Sequence, residues 1–300
     1  MIVNAHTHLE LTGFAHLCPP PAGVPLVAWL QTVIAAQTAA RSVGMLPFQK
    51  AVEAGIELIR AAGTTHVGDI TNSGASIEPL LDSGLGGIVY LEVIGLNPAD
   101  SLPRLQKAKE KINIYRRRES KMRVGLSVHA PYSCHPDLFR DGAAWCVAED
   151  VPLCIHAAES PAELELLTRG TGDFRGMQKA LNLPGLPVPG CSPIAYLESL
   201  GVLAAKPLLV HCVQVNDDDI QRIAFSGCKV AHCPRSNQLL QCGRMPLEKF
   251  LAAGVHVYLG TDSLSSSPSL NVREEAEAAI KLHADHVPAD SIRALLTSNF

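Results

Sequence analysis

The residues best suited to chemistry in this sequence are two histidines near the amino terminus, His6 and His8. They follow a short apolar run, and residues two apart on a strand point to the same face. Imidazole nitrogen is a common ligand of divalent transition metals. A lone pair of buried histidines is equally compatible with ordinary core packing, so this pair alone does not decide between the two.

Other polar residues follow later apolar runs in the same way. His156 and Glu159 end one run, His211 ends the next, and Asp262 follows the last. Buried histidine and aspartate each need a partner that offsets their desolvation, so their recurrence at the ends of separate runs favours one shared site. The candidate metal ligands are three imidazoles and one carboxylate, a set that suits zinc or iron: His6, His8, His156 and Asp262.

The elements that must position these side chains are short β-branched runs alternating with longer helical patterns. Strands are predicted over residues 2–8, 64–70, 87–95, 124–132, 152–159, 207–213, 229–233 and 255–262. Helical segments are predicted over 26–62 (as two helices), 76–84, 101–118, 136–150, 161–182, 192–202, 217–226, 245–253 and 270–285. Several helical segments end at a glycine, as helix C-termini commonly do.

Eight strand–helix units in succession fit either an open doubly wound sheet or a closed (β/α)8 barrel. The polar residues fall at the carboxyl ends of strands 1, 4, 5, 6, 7 and 8. An open sheet gathers its ligands at one switch point, whereas a barrel brings every strand end to a single mouth. The sequence therefore predicts one (β/α)8 TIM barrel domain over residues 1–300, with its metal site at the C-terminal mouth.

Composition excludes several classes of partner. Lys and Arg number 25 against 29 Asp and Glu, a net charge of −4, so no strongly basic surface for nucleic acid or an anionic membrane is expected. No apolar run approaches the ~20 residues that cross a bilayer. Nine cysteines, several inside apolar runs, predict free thiols in a reducing compartment, and together with the lack of a signal-peptide pattern they indicate the cytoplasm.

The number of metal ions can also be predicted. A bridged pair of ions in such a barrel calls for a further ligand, typically a modified lysine near the fourth strand, and residues 124–132 contain no lysine. One ion is therefore predicted, which leaves His211 free for a role other than metal binding.

Six segments together resemble the amidohydrolase superfamily: residues 4–10 (NAHTHLE), 129–133 (HAPYS), 156–159 (HAAE), 210–212 (VHC), 232–237 (HCPRSN) and 260–263 (GTDS). The resemblance runs from residue 4 to about 299 and points to the branch of cytosine deaminase, S-adenosylhomocysteine deaminase and triazine chlorohydrolases. Residues 9–11, 232–237 and 261–266 are most similar to the aminodeoxyfutalosine deaminases of the alternative menaquinone pathway.

The resemblance implies a metal-dependent hydrolase that deaminates the purine-type ring of an adenine nucleoside-like substrate. It implies that the four candidate ligands hold one divalent ion, with zinc preferred over iron. Glu159 is expected to protonate the ring nitrogen and then the departing group. Asp262 is expected to accept the proton of the attacking water, and His211 to orient that water or polarise the reacting carbon.

The resemblance also suggests which residues contact the substrate, although each has a simpler interpretation. Glu10 is expected to face the substrate, or else to be a solvated loop carboxylate. His129 is expected there too, or else to be a core histidine. Arg235 either recognises an anionic substrate group by a forked contact or pairs with a carboxylate. Asn237 is a further candidate for a contact with the substrate. His66 and Asp69 are candidates for the floor or mouth of the barrel.

Alternatives remain within this fold and outside it. Deamination of S-adenosylhomocysteine, methylthioadenosine or guanine, and dechlorination of a triazine-type ring, differ only in the pocket walls. A non-catalytic metal-binding barrel is expected to lack the proton shuttle, but Glu159 and His211 are both present. A small molecule is the expected partner, and a homo-oligomer is left open.

Members of this branch usually carry a small β-sandwich built from segments on both sides of the barrel. The sequence starts five residues before His6 and ends at Phe300. Either the sequence is a fragment of such a protein, or the barrel is expected to stand without its flanking β-sandwich.

Overall fold

Eight parallel strands form the centre of the computed structural model, which describes residues 1–297 and 300. Each strand pairs with the next one in the sequence, in the order β1 to β8. The strands are β1 (Val3–Thr7), β2 (His66–Thr71), β3 (Gly86–Val93), β4 (Met122–Val128), β5 (Leu153–Ala157), β6 (Leu208–His211), β7 (Lys229–His232) and β8 (Val257–Leu259).

The sheet closes on itself between β1 and the segment after β8. Thr7 and Asp262 form a parallel bridge, and the Asp262 amide donates a hydrogen bond of 3.0 Å to the carbonyl of His6. The buried Asn4 side chain spans the same seam, since its Nδ2 donates to Thr261 Oγ1 (2.9 Å) and its Oδ1 accepts from the Thr261 amide (3.0 Å). The predicted (β/α)8 barrel is confirmed.

Helices surround the strands. They are α1 (Leu26–Ser42), α2 (Leu46–Ala61), α3 (Ile77–Asp82), α4 (Pro98–Tyr115), α5 (Pro136–Glu149), α6 (Pro161–Arg169), α7 (Asp173–Ala180), α8 (Pro193–Ser199), α9 (Asp217–Ser226), α10 (Pro234–Leu239), α11 (Leu247–Ala252), α12 (Val272–Leu282) and α13 (Ala289–Ala294). Side-chain caps explain several starts: Asn97 begins α4, Ser160 begins α6, and Asn216 begins α9 with a full capping box. The two helices predicted within 26–62 are α1 and α2.

The eight predicted strands are all present, but most of them end earlier than the sequence predicts. The predicted fifth, sixth and eighth strands extend to residues 159, 213 and 262, whereas β5, β6 and β8 end at Ala157, His211 and Leu259. Ala158, His211 and Asp262 have positive φ angles (52°, 74° and 60°), which turn the chain out of the sheet. The functional side chains therefore lie in the last residues of the strands or on the turns that follow them.

The interior of the barrel below the mouth is filled with side chains from the strands. The buried cluster there includes Val3, Ile70, Tyr90, Val210 and Tyr258. A second and larger apolar cluster packs between the strands and the helices. The barrel is therefore a packed core whose C-terminal mouth is polar. Among the helices of the described residues, none combines the length and apolar character needed to cross a membrane.

We predict that Asn4→Ala destabilises the barrel at its seam. The substitution leaves the buried amide of Thr261 without its acceptor, which costs about 2–3 kcal/mol of unfolding free energy. Urea unfolding measures this loss, with Asn113→Ala on the exposed face of α4 as the control, for which a change within about 0.5 kcal/mol is expected. Equal stability of the two variants contradicts the prediction.

Candidate active site

Four candidate ligands meet at the mouth of the barrel. His6 and His8 come from the end of β1, His156 from β5, and Asp262 from the turn after β8. His8 Nε2 lies 3.3 Å from His156 Nε2, and His6 Nε2 lies 3.4 Å from Asp262 Oδ1. Asp262 Oδ1 is also 3.7 Å from His8 Nε2. The structure therefore brings all four predicted ligands together.

These distances fit a bound metal ion. Donor atoms bound tetrahedrally to one zinc at about 2.0–2.1 Å lie about 3.3 Å apart. Neither ring nitrogen of His6 makes a regular hydrogen bond within the described residues, although the ring is buried. A buried imidazole without a partner is costly, and a cation in the centre of the four donors would satisfy it.

The imidazoles are uncharged, which is the form that binds a metal. Burial lowers the pKa of His8 to about 3, and burial likewise lowers the pKa values of His6 and His156. Their mutual proximity acts in the same direction, because one protonated ring disfavours protonation of the next. The cluster therefore presents neutral nitrogen donors around one carboxylate.

Asp262 is held as an anion. Its burial alone would raise the pKa, but the ring of His6, 3.4 Å away, acts with His8 and His211 to hold the pKa of this carboxyl well below its usual range. Its Oδ2 accepts hydrogen bonds from Ser236 Oγ (2.7 Å) and Ser266 Oγ (2.8 Å). These two hydroxyls orient the carboxylate so that Oδ1 faces the histidines.

Glu159 and His211 form a second polar pair beside the ligands. Glu159 Oε1 lies 3.4 Å from His211 Nε2, and both side chains line the cavity at the mouth. Burial raises the pKa of Glu159, which favours a carboxyl that holds its proton. This is the property a general acid needs.

Asn237 lies behind His211 rather than in the cavity. Its Oδ1 is 2.9 Å from His211 Nδ1, and an amide oxygen only accepts, so the imidazole proton sits on Nδ1. The other ring nitrogen of His211, Nε2, faces Glu159. The Asn237 carboxamide is buried and orients this histidine, so in this geometry it supports the site from behind, and a direct contact with the substrate stays a prediction.

A buried carboxyl also supports the turn that carries Glu159. Glu163 on α6 accepts hydrogen bonds from the amides of Ala158 (3.2 Å) and Glu159 (2.8 Å). Ala158 has a left-handed backbone conformation, φ 52°, which is unfavourable for a residue other than glycine. Glu163 stabilises this turn and thereby fixes the direction of the Glu159 side chain.

Asp69 has the same supporting role on the first strand. Its carboxylate accepts hydrogen bonds from Thr7 Oγ1 and the Leu9 amide, both at 2.8 Å, and from Ser76 Oγ. These contacts fix the chain on both sides of His8. Asp69 is fully buried beneath the mouth, whereas His66 lies at the opposite, amino-terminal end of β2.

Glu10 and His129 both line the cavity, as expected. Glu10 is buried, which rules out a solvated loop carboxylate, and it accepts hydrogen bonds from Thr71 Oγ1, the Asn72 amide and Ser73. His129 Nδ1 is 2.6 Å from Ser133 Oγ, and burial lowers its pKa to about 4. Its other ring nitrogen is not used in a hydrogen bond within the described residues.

Arg235 does not reach the cavity. Its Nε and Nη1 each lie 2.6 Å from a carboxylate, Glu275 and Glu274 respectively, and its Nη2 donates to Ser269. Of the two expected contacts, the described residues show the carboxylate pairing, and the contact with an anionic substrate group stays a prediction. Glu275 is fully buried on α12, and an arginine beside it offsets the desolvation of that carboxylate.

The cavity has a volume of about 660 Å³ and reaches from the ligand cluster to the surface between α1, α4 and α7. That volume is ordinary for a small-molecule site. Trp29, Val33 and Ile34 of α1 form part of an apolar wall, which Met177 and Leu183 extend on the other side. Leu183 begins the Pro- and Gly-rich segment 183–190, whose start therefore borders the mouth.

Two groups of charged residues that line the cavity were not identified from the sequence. Glu92 interrupts the apolar run of β3 one residue before the strand ends, close to the position of the other site residues on their strands. Arg104, Lys107 and Lys111 are spaced along one face of α4, a pattern with the i, i+3, i+7 periodicity of a helix. Neither signal shows from sequence alone that these side chains border the cavity.

Nearly the whole chain is similar to known proteins. Residues 2–299 match the model of the amidohydrolase family. An aminodeoxyfutalosine deaminase from Deinococcus radiodurans is 36% identical over 97% of this chain and 70% of its own length. A 5-methylthioadenosine/S-adenosylhomocysteine deaminase from Thermococcus kodakarensis is 30% identical over 95% of this chain, which spans 62% of that protein.

A solved structure is also similar over nearly the whole chain. Helicobacter pylori aminofutalosine deaminase, in complex with methylthio-coformycin, superposes with a TM-score of 0.79 at 25% identity, over 98% of this chain and 70% of that chain.

We predict that Asp69→Ala weakens both the fold and the affinity of the mouth for a divalent metal. Loss of three buried hydrogen bonds is expected to lower the unfolding free energy by about 2–4 kcal/mol and to loosen His8. Urea unfolding and a competition titration with Zn²⁺ measure the two effects.

Asp69→Asn keeps one acceptor oxygen, so its stability and metal affinity should lie between those of the wild type and Asp69→Ala. Asp285→Ala on the surface is the control. Unchanged metal affinity in a destabilised Asp69→Ala protein would show that the carboxylate supports the fold alone.

Proposed function

We propose that this chain, which belongs to the amidohydrolase family, is a metal-dependent deaminase of adenine nucleoside-like substrates. The observation that carries the proposal is the Glu159–His211 pair beside four neutral or anionic donors in one cavity. A non-catalytic barrel has no need of a buried carboxyl with a raised pKa in that position. The deaminase names of the relatives point to the same reaction.

We assign the metal to His6, His8, His156 and Asp262, and propose one zinc ion per chain. Amidohydrolases are a metal-dependent family, and borderline cations prefer mixed imidazole and carboxylate donors. When bound, the ion supplies a water nucleophile at neutral pH by lowering the pKa of that water. Iron suits the same donors, and measurement of the metal content decides between the two.

The chain's own residues then account for the proton transfers. Protonated Glu159 donates to a ring nitrogen of the substrate, which makes the carbon that bears the amino group more electrophilic. Asp262 accepts a proton as water adds to that carbon. A proton passes to the amino group, the carbon–nitrogen bond breaks, and ammonia leaves an oxo-substituted ring. His211, fixed by Asn237, orients the attacking oxygen.

Ammonia release tests this proposal. The panel is aminodeoxyfutalosine, S-adenosylhomocysteine, methylthioadenosine, adenosine, guanine and cytosine, with a triazine as the chlorohydrolase arm. We expect turnover of an adenine nucleoside, its loss after metal removal by a chelator, and its return with Zn²⁺. Glu159→Gln is expected to lower kcat by roughly 10²–10⁴-fold, because glutamine cannot donate the proton.

Glu53→Gln, the same change on the exposed surface of α2, is the matched control and should keep full activity. A folded, metal-loaded protein that releases no ammonia from any substrate of the panel contradicts the deaminase. Release of chloride from the triazine instead favours the chlorohydrolase alternative.

The outer end of the cavity narrows the substrate class. Four cations line it, namely Arg41, Arg104, Lys107 and Lys111, while the acidic residues that line the cavity are all buried: Glu10, Glu92, Glu159 and Asp262. Arg104 and Lys107 form no ion pair within the described residues. An adenine nucleoside with an anionic group remote from the ring matches this polarity, so we propose aminodeoxyfutalosine, which carries a carboxylate, ahead of methylthioadenosine, which is neutral.

We predict that the double variant Arg104→Gln/Lys107→Gln raises KM for aminodeoxyfutalosine about 3- to 30-fold and leaves KM for methylthioadenosine within about twofold. Exposed charges each contribute about 0.2–1 kcal/mol, and added salt should reduce the wild-type preference. Lys109→Gln, on α4 but outside the cavity, is the matched control. An equal rise of KM for both nucleosides speaks against recognition of the anionic group.

A further inference from the structure

Glu92 is a buried carboxyl that the reaction above does not use. It lies near the carboxyl end of β3, is 9% exposed, and lines the cavity. Its Oε1 has no hydrogen-bond partner within the described residues. A buried polar atom without a partner costs about 1–3 kcal/mol, so an unpartnered acceptor on a residue that lines the cavity favours a ligand that supplies the missing hydrogen bond.

The surroundings of Glu92 do not favour a cation as that missing partner. The side chain forms no ion pair within the described residues. The Asn72 carboxamide contacts it, and Arg41, whose charge acts on Glu92, is bonded to Asn72 instead. Burial, with the nearby Glu10 carboxylate, raises the pKa of Glu92 to about 8. The open oxygen therefore suits a neutral hydrogen-bonding group.

The order of the strands shows which part of a nucleoside would reach it. Around the mouth come Glu92 on β3, His129 after β4, His156 on β5 and His211 on β6. A ring bound beside Glu159 and His211 leaves the rest of the molecule to run toward β3. From there α4, the helix after β3, leads to the cations at the outer end, so Glu92 lies midway between the ring and the anionic group.

We propose that Glu92 hydrogen-bonds a sugar hydroxyl of the nucleoside and selects ribonucleosides over their deoxy analogues. A hydroxyl both donates and accepts, so it can satisfy the carboxyl in either protonation state. Ring nitrogens such as N3 or N7 only accept, so they could pair with this carboxyl only in its protonated form. This inference rests on the proposed function, since it assumes an adenine nucleoside in the cavity.

A second metal ion is the competing occupant. Glu92, His129 and His156 have ligand atoms within 4.8 Å of one another. His156 Nε2, however, already faces His8, and its Nδ1 is 3.2 Å from the carbonyl of His129. Of this group, two donors, from Glu92 and His129, would remain for a second ion, which is a poor set for a divalent cation.

The test compares each substrate with its 2′-deoxy and 3′-deoxy forms. We expect wild-type kcat/KM to favour the ribonucleoside about 10- to 100-fold over at least one deoxy form. In Glu92→Leu this ratio should fall to within about threefold of unity, mainly through a loss on the ribonucleoside. Glu92→Gln, which keeps a hydrogen-bonding group, should retain part of it. A residue that only supports the fold would lower all rates and leave the ratio unchanged.

Binding supplies a readout that needs no turnover. Coformycin and 2′-deoxycoformycin differ by one hydroxyl, and calorimetric titration of metal-loaded wild type, Glu92→Leu and the surface control Glu53→Leu measures the affinity for each. If the contact is to the 2′-hydroxyl, we expect Glu92→Leu to bind coformycin more weakly than the wild type does and to bind 2′-deoxycoformycin with nearly unchanged affinity. The 3′-deoxy substrates test a contact to the 3′-hydroxyl.

The outcomes separate the two proposals. If the wild type deaminates a nucleoside and Glu92→Leu keeps the same ratio of kcat/KM between the ribonucleoside and its deoxy forms, only the sugar contact is overturned. If the wild type neither deaminates nor binds any adenine nucleoside, the proposed function is overturned, and this inference with it. Two metal ions per wild-type chain, one of them lost in Glu92→Leu, would assign Glu92 to a second metal instead.

Discussion

The closure of the barrel between β1 and the turn after β8 holds the site together. Thr7 pairs with Asp262, and the Asn4 carboxamide bonds Thr261 at a separation of 257 residues. These contacts bring two histidines from one end of the chain against an aspartate from the other. Without the seam His6, His8 and Asp262 cannot surround one ion, whatever the quality of the individual strands.

Several features of the site are energetically unfavourable by themselves and need buried hydrogen-bond partners to stabilise them. Neutral imidazoles crowd together below the mouth, and Ala158, His211 and Asp262 have left-handed backbones. Buried partners stabilise these costly features. Asp69 fixes the turn at His8, Glu163 fixes the turn at Glu159, and Asn237 sets the tautomer of His211. Much of the polar chemistry in this barrel therefore positions other residues and does not touch a substrate.

The cavity is polarised along its length, and this polarity links the chemistry to the substrate. Its inner end contains the ligand cluster and Glu159, its middle has an apolar wall with the open oxygen of Glu92, and its outer end is cationic. A molecule that satisfies all three regions has an aminated ring, a hydroxylated centre and a remote anionic group. Barrels that share the ligand cluster can differ in the outer two regions, because these come from the helices and loops that follow the strands.

Local sequence patterns are sufficient to predict the barrel and the inner end of the site. Apolar β-branched runs alternate with helical segments, and polar residues recur at six strand ends. These patterns alone identify the residues of the inner end: His6, His8, His156, Glu159, His211 and Asp262. Each of them is the polar residue that follows an apolar run, so its position at the mouth follows directly from the fold.

The roles of Arg235, Asn237, Glu10 and Glu92, in contrast, depend on the folded arrangement. Arg235 meets carboxylates about 40 residues later, Asn237 meets a histidine 26 residues earlier, and Glu10 meets β2. Whether a polar side chain reaches a cavity or a partner depends on contacts between distant segments, which a local pattern does not contain.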